Sequence, residues 1–116
     1  MKKIIVQVFA IAAVFLLFSC QKPRPQVTVI MKYSPHCEVC VMMKPIVAEM
    51  QKYYGNKIEI KKFNLDDYNE YQASSAYKST ITPAFFFLDK EGNVYEHFEG
   101  PAETAKMKSA IERGLN

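Results

Sequence analysis

Three consecutive phenylalanines, Phe85-Phe86-Phe87, sit inside an apolar run from Ala84 to Leu88. Pro83 precedes the run and the turn-forming stretch Asp89-Lys90-Glu91-Gly92-Asn93 follows it. Successive side chains of a strand point to opposite faces, so large apolar groups at every position need cover on both. That demand constrains the fold more than any other stretch. It requires a sheet in the middle with other elements above and below.

The rest of the chain supplies those elements. Val27 to Tyr33 is β-branched and apolar and reads as a buried strand. Ser34-Pro35-His36 turns the chain. Helical spacing then runs from about Cys37 to Tyr54, with Val39, Met42, Met43, Ile46, Met50 and Tyr53 expected on the inner face. Pro45 falls within it, removing one backbone donor and predicting a kink. Gly55-Asn56 ends the helix. Ile58 to Leu65 alternates as a second strand. Asp67 followed by Glu70 resembles a capping box, which predicts a helix from Tyr68 to about Lys78. Thr80 to Pro83 is a loop, because the residue before proline avoids helix. Val94 to Phe98 returns as a hairpin partner of the phenylalanine strand. Gly100-Pro101 precedes a last helix whose inner side is expected at Ala102, Ala105, Ile111 and Leu115. The first two strands flank a helical crossover and should be parallel. The fold class is therefore α/β, a mixed four-stranded sheet flanked by helices in β-α-β-α-β-β-α order.

The first residues have a different character. Lys2 and Lys3 are followed by an apolar stretch, Ile4 to Phe18, broken only by Gln7. It is shorter than the ~20 residues of a membrane span and has the length of a signal-peptide core. Its ending, Leu17-Phe18-Ser19-Cys20, resembles a bacterial lipobox. Residues 1–19 are thus expected to be a lipoprotein signal peptide, with Cys20 lipidated as the first mature residue. Residues 20–26, containing Pro23 and Pro25, read as a stiff tether, and residues 27–116 as the folded domain. Ordinary secretion with a free Cys20 and an uncleaved anchor are the alternatives. The expected location is the bacterial cell envelope, lipid-anchored to a membrane and facing the periplasm or the exterior. Removing Lys2 and Lys3 from the 15 basic residues leaves one more base than the 12 acids. A near-neutral domain without a basic cluster gives no support for nucleic-acid binding.

Chemistry concentrates at Ser34-Pro35-His36-Cys37-Glu38-Val39-Cys40. Two thiols three residues apart, at a helix start after a strand, suit reversible dithiol chemistry. The helix terminus favours thiolate at Cys37, and Cys40 lies one turn on. Glu38 opposes that effect as a nearby anion, or is an ordinary first-turn acid. His36 could stabilise thiolate when protonated, or be a surface loop residue. An inert bridge or half of a zinc site is the bland reading, although zinc would have only His36 and His97 to complete it. Haem attachment is excluded because Val41, not His, follows Cys40. Met42 and Met43 could suggest copper(I), against core packing at helical spacing.

With these motifs in order, the chain resembles the thioredoxin family from Val27 to about Leu115. Cys37-Glu38-Val39-Cys40 takes the place of the active-site dithiol. Pro45 matches the proline of the active-site helix, Thr82-Pro83 the cis-proline loop, and Gly100 a glycine before the last helix. The resemblance implies a thiol-disulfide oxidoreductase with Cys37 as nucleophile and Cys40 as resolving thiol. It also implies that Thr82, Pro83 and His36 border the substrate. The redox-active disulfide is then the only redox group, with no cofactor and no metal. Expected partners are protein thiols and disulfides of the envelope and a membrane electron donor or acceptor. The chain also departs from the family. His36 stands where a Trp is usual, Glu38-Val39 replaces Gly-Pro, and Met31 occupies the place of a buried acid. Lys62 takes the position of the lysine that pairs with that acid. A metal-binding module for copper or zinc and a redox-inert interaction domain of the same fold are the competing functions.

Overall fold

The computed structural model describes residues 24–116. The signal-like segment and Cys20 lie outside the described residues. The strands are β1 (Val27–Tyr33), β2 (Ile58–Asn64), β3 (Ala84–Leu88) and β4 (Val94–Glu99). The helices are α1 (Glu38–Tyr54), α2 (Tyr68–Ala73) and α3 (Thr104–Leu115), with a 3-10 turn at Gly55–Lys57. The sheet order is β2-β1-β3-β4. β1 and β2 run parallel through the α1 crossover, while β1 with β3 and β3 with β4 are antiparallel.

Every residue of β3 is buried, as its composition requires. Phe85 and Phe87 enter the larger core with Val29 and Met31 of β1, Met43, Val47 and Met50 of α1, and Met107 and Ile111 of α3. Burying each of these phenylalanines is worth roughly 1.5–3 kcal/mol. Phe86 and Leu88 face the other side with Ile30 and Ala84, under Phe63 and Tyr77. The Tyr77 and Phe86 rings lie 5.4 Å apart. The four-stranded mixed sheet with helical cover predicted above is the fold observed.

Three local details differ from the sequence reading. The inner face of α1 is Cys40, Met43, Val47, Met50 and Tyr54, while Met42 and Tyr53 are exposed. The buried stripe is rotated by about one residue, with Cys40, Val47 and Tyr54 turned inward. Helix α2 stops at Ala73 instead of continuing to Lys78. Ser74 and Ser75 donate their hydroxyls to the carbonyls of Tyr71 and Gln72 and close a turn. The chain then reverses to lay Tyr77 on Phe86. Finally, Pro101 does not open α3. Ala102 packs into the core ahead of the helix, which begins at Thr104. Its buried stripe is Met107, Ala110 and Ile111, which leaves Ala105 at the surface.

Candidate active site

The site is the junction of β1 and α1. β1 ends at Tyr33, the chain turns through Ser34-Pro35-His36, and Cys37 becomes the N-cap of α1. Its backbone is extended, with φ −88° and ψ 109°. The Cys40 amide points at the Cys37 sulfur, N to Sγ 3.2 Å. The two residues are joined as a disulfide with their Cα atoms 5.2 Å apart. The first turn of α1 thus places a backbone donor on Cys37 Sγ, and the helix end adds partial positive charge. Both favour thiolate there once the bridge is reduced. Cys37 is partly exposed, whereas Cys40 is 2% exposed. The outer sulfur is the one a partner can reach.

Thr82 and Pro83 lie against this junction. The Thr82 carbonyl oxygen is 3.7 Å from Cys37 Sγ, although 45 residues separate them. The Thr82–Pro83 bond is cis. Gly100 donates its amide to the Pro83 carbonyl at 2.7 Å and has φ 89°, a conformation glycine adopts without a Cβ penalty. The turn after β4 therefore fixes the far side of the loop.

His36 is placed beside the dithiol in the chain, but its ring turns outward. It is 89% exposed, and its Nε2 lies 3.6 Å from Asp66 Oδ2. Ser34 Oγ donates to the same carboxylate at 3.3 Å. The side-chain neighbour of His36 is therefore Asp66 in the β2–α2 turn. Sequence reasoning missed Asp66 because only the parallel pairing of β1 with β2 brings that turn to the dithiol.

Beneath Cys40, Met31 is buried at 3% exposure. Met31, Tyr33, Cys40, Lys44, Val47 and Lys62 line a cleft of about 260 Å³. Lys62 is the β2 partner of Met31 in the sheet register. Among the described residues lining this cleft, the charged side chains are Lys44 and Lys62. Met43 is in the core and Met42 is 70% exposed. Among the described residues no three His, Cys, Asp or Glu side chains come together as a metal site.

Glu99 at the end of β4 was not singled out by sequence. It accepts hydrogen bonds from the Thr80 amide and from the Ile81 amide at 3.4 Å. These bonds, the Thr80 amide foremost, hold its carboxyl below the usual range.

Comparison with known proteins agrees with this geometry. The thioredoxin family profile matches residues 19–113. The thioredoxin-like protein HCF164 of Arabidopsis thaliana chloroplasts is 33% identical over 66 residues, which is 57% of this chain and 25% of that protein. Its counterpart in Oryza sativa gives the same figures. The chain thus spans about a quarter of the length of these curated relatives. Among solved structures, thioredoxin-2 of the malaria parasite superposes with a TM-score of 0.69 at 18% identity, covering 79% of this chain and 86% of that one. The germline thioredoxin Deadhead of Drosophila melanogaster gives 0.66 at 23% identity, covering 76% and 80%. A sulfur pair at a helix N-terminus, a cis-proline loop against it and a profile spanning nearly the whole folded region have one common explanation: the chain belongs to the thioredoxin family.

Proposed function

We propose that the protein is a thiol-disulfide oxidoreductase of the bacterial cell envelope, acting on protein partners and held to a membrane by lipid on Cys20. The observation that carries the chemistry is the Cys40 amide directed at Cys37 Sγ, 3.2 Å away, at the start of a 17-residue helix. In the reducing direction, Cys37 thiolate attacks one sulfur of a partner disulfide, and the other partner sulfur leaves as thiolate. The Cys40 thiol gives its proton to solvent and attacks Cys37 Sγ. The Cys37–partner bond breaks, the second partner thiolate leaves, and both partner thiolates take up protons. The partner gains two electrons and the Cys37–Cys40 disulfide forms. Run backwards, the same steps oxidise a partner. Thr82 supplies backbone polar groups beside the sulfurs, where an extended partner can pair. A membrane dithiol or disulfide closes the cycle by exchanging electrons with Cys37–Cys40.

The envelope reading rests on the order of Lys2-Lys3, the apolar run and Cys20. Expression of the full chain in a bacterial host tests both halves. A Cys40→Ser variant should accumulate mixed disulfides with envelope proteins through Cys37, and Cys37→Ser should accumulate none. Trapping by both variants alike would refute the assigned roles. Mass spectrometry showing unmodified Cys20, or a protein released from membranes in its native form, would refute the anchor.

A further inference from the structure

The loop that carries Thr82 and Pro83 is held by one side chain from β4. Glu99 is the β4 partner of Ala84, the first residue after the loop. Its carboxylate accepts from the Thr80 amide, from the Ile81 amide at 3.4 Å and from the Thr80 hydroxyl at 3.4 Å. The next residue, Gly100, takes the Pro83 carbonyl. The last residue of β4 and the residue after it therefore grip the loop, one on each side of Thr82. On the far side of Ala84, in β1, lies Lys32. It is 6% exposed and donates from Nζ to the Tyr77 carbonyl, at the start of the same connection. Burial lowers the Lys32 pKa, and the negative charge of Glu99 opposes that shift. One carboxylate thus supports a buried ammonium and binds the loop backbone.

Glu99 touches neither sulfur. Its effect on chemistry runs through Thr82, whose carbonyl sits 3.7 Å from Cys37 Sγ. We propose that Glu99 is a positioning residue for protein substrates. It fixes residues 80–83 so that the Thr82 backbone is already in place when an extended chain pairs beside Cys37. This rests on the reading of the protein as a protein-disulfide oxidoreductase. A small disulfide needs only the exposed sulfur of Cys37, whereas an extended chain also needs an ordered loop edge, which costs affinity if it must be ordered on binding. Thr80 and Ile81 are exposed, so their amides turn to water when Glu99 is removed. The loop should therefore loosen, while the loss of negative charge near Lys32 is the same for any neutral replacement of Glu99.

Glu99→Val and Glu99→Gln, made in the full chain, separate the roles. Valine keeps strand propensity but has no acceptor. Glutamine keeps one carbonyl oxygen toward the same amides. With insulin as the protein disulfide, Glu99→Val should raise KM about five-fold with kcat within about two-fold, a loss of binding alone. The rate with neutral 2-hydroxyethyl disulfide should stay within about two-fold of the parent. Glu99→Gln should restore the insulin KM. Amide exchange at Thr80 and Ile81 should be faster in Glu99→Val and near the parent rate in Glu99→Gln. Equal losses toward insulin and the small disulfide, an unchanged insulin KM, or a Gln variant as impaired as the Val variant would each overturn the proposal. A parent protein that reduces neither compound refutes the reading of its function instead. Amide exchange still judges the brace in that case, and unchanged protection in Glu99→Val overturns it.

Discussion

Met31 is the substitution site at which the chemistry of the second half of exchange is most exposed to test. Its side chain is 3% exposed and shares a cleft of about 260 Å³ with Cys40, Lys44 and Lys62. A thioether cannot accept the proton that Cys40 must lose before it attacks Cys37. Cys40 is 2% exposed, and burial disfavours its thiolate. Resolution of the mixed disulfide is therefore expected to limit turnover, with capture by Cys37 faster. Met31→Asp places a carboxyl beside Cys40 and opposite Lys62. The change removes roughly 1.5–3 kcal/mol of apolar burial. The desolvated carboxyl adds to that cost, and pairing with Lys62 offsets part of it. A net loss of about 3 kcal/mol is expected, measured by urea unfolding. Positioned bases speed proton transfer by ~10²–10⁴. An imported carboxyl without its own positioning partners should fall about ten-fold short of the low end, so resolution should rise about ten-fold. Met31→Leu conserves volume and should cost under ~1.5 kcal/mol without altering resolution. Stopped-flow mixing with a model disulfide separates the two steps. A parent protein whose mixed disulfide never accumulates would refute the reasoning. So would a folded Met31→Asp that resolves no faster.

Three further outcomes follow from packing and charge. Gly114→Ala would set a methyl 2.5 Å from Val27 Cγ2 and 2.7 Å from Tyr95 Cζ. Overpacking of this kind should cost ~1–3 kcal/mol, more than the ~0.5–1 kcal/mol that alanine gains in a helix. A higher urea midpoint would contradict it. Burial foremost raises Tyr54 and Tyr95 from 10.0 to about 12. An unfolded chain releases both protons first, so stability should be intact below pH 10 and fall as pH rises toward about 12. A flat unfolding midpoint across that window would contradict the burial of both hydroxyls. In the reduced protein, limiting iodoacetamide should label Cys37 before Cys40, since Cys37 is partly exposed and caps the helix. Preferential labelling of Cys40 would reverse their roles.

The sequence was most informative where a local pattern could be satisfied in one way. The phenylalanine run demanded two-sided cover, and β3 has it. Asp67 caps α2 by accepting from the Glu70 amide at 3.1 Å, as the spacing indicated. It was less informative where two periodic readings differ by one residue. Val39, Met42, Met43 and Ile46 cover about 100° of the circumference of α1, and Val47 and Cys40 extend the apolar surface on one side, toward which the buried face turns. The end of α2 depends on serine hydroxyls competing for carbonyls and on Tyr77 finding Phe86 across the fold. Within the site, the dithiol was legible because its spacing is local. Asp66 and Glu99 were not, since their contacts to Ser34 and Thr80 span 32 and 19 residues. Those contacts exist only once β1 has paired with β2 and β3 with β4.

Redox titration of the purified protein in defined dithiothreitol buffers, read by mass after trapping free thiols, tests the central claim most directly. Cys37 and Cys40 are bridged at a helix N-terminus, and reversible exchange requires both states to be accessible. The expected result is one two-electron transition that reverses fully and vanishes in Cys37→Ser and in Cys40→Ser. A bridge that stays oxidised across the whole buffer range, or opens only when the protein is denatured, would mark it as a structural crosslink and contradict the proposed activity.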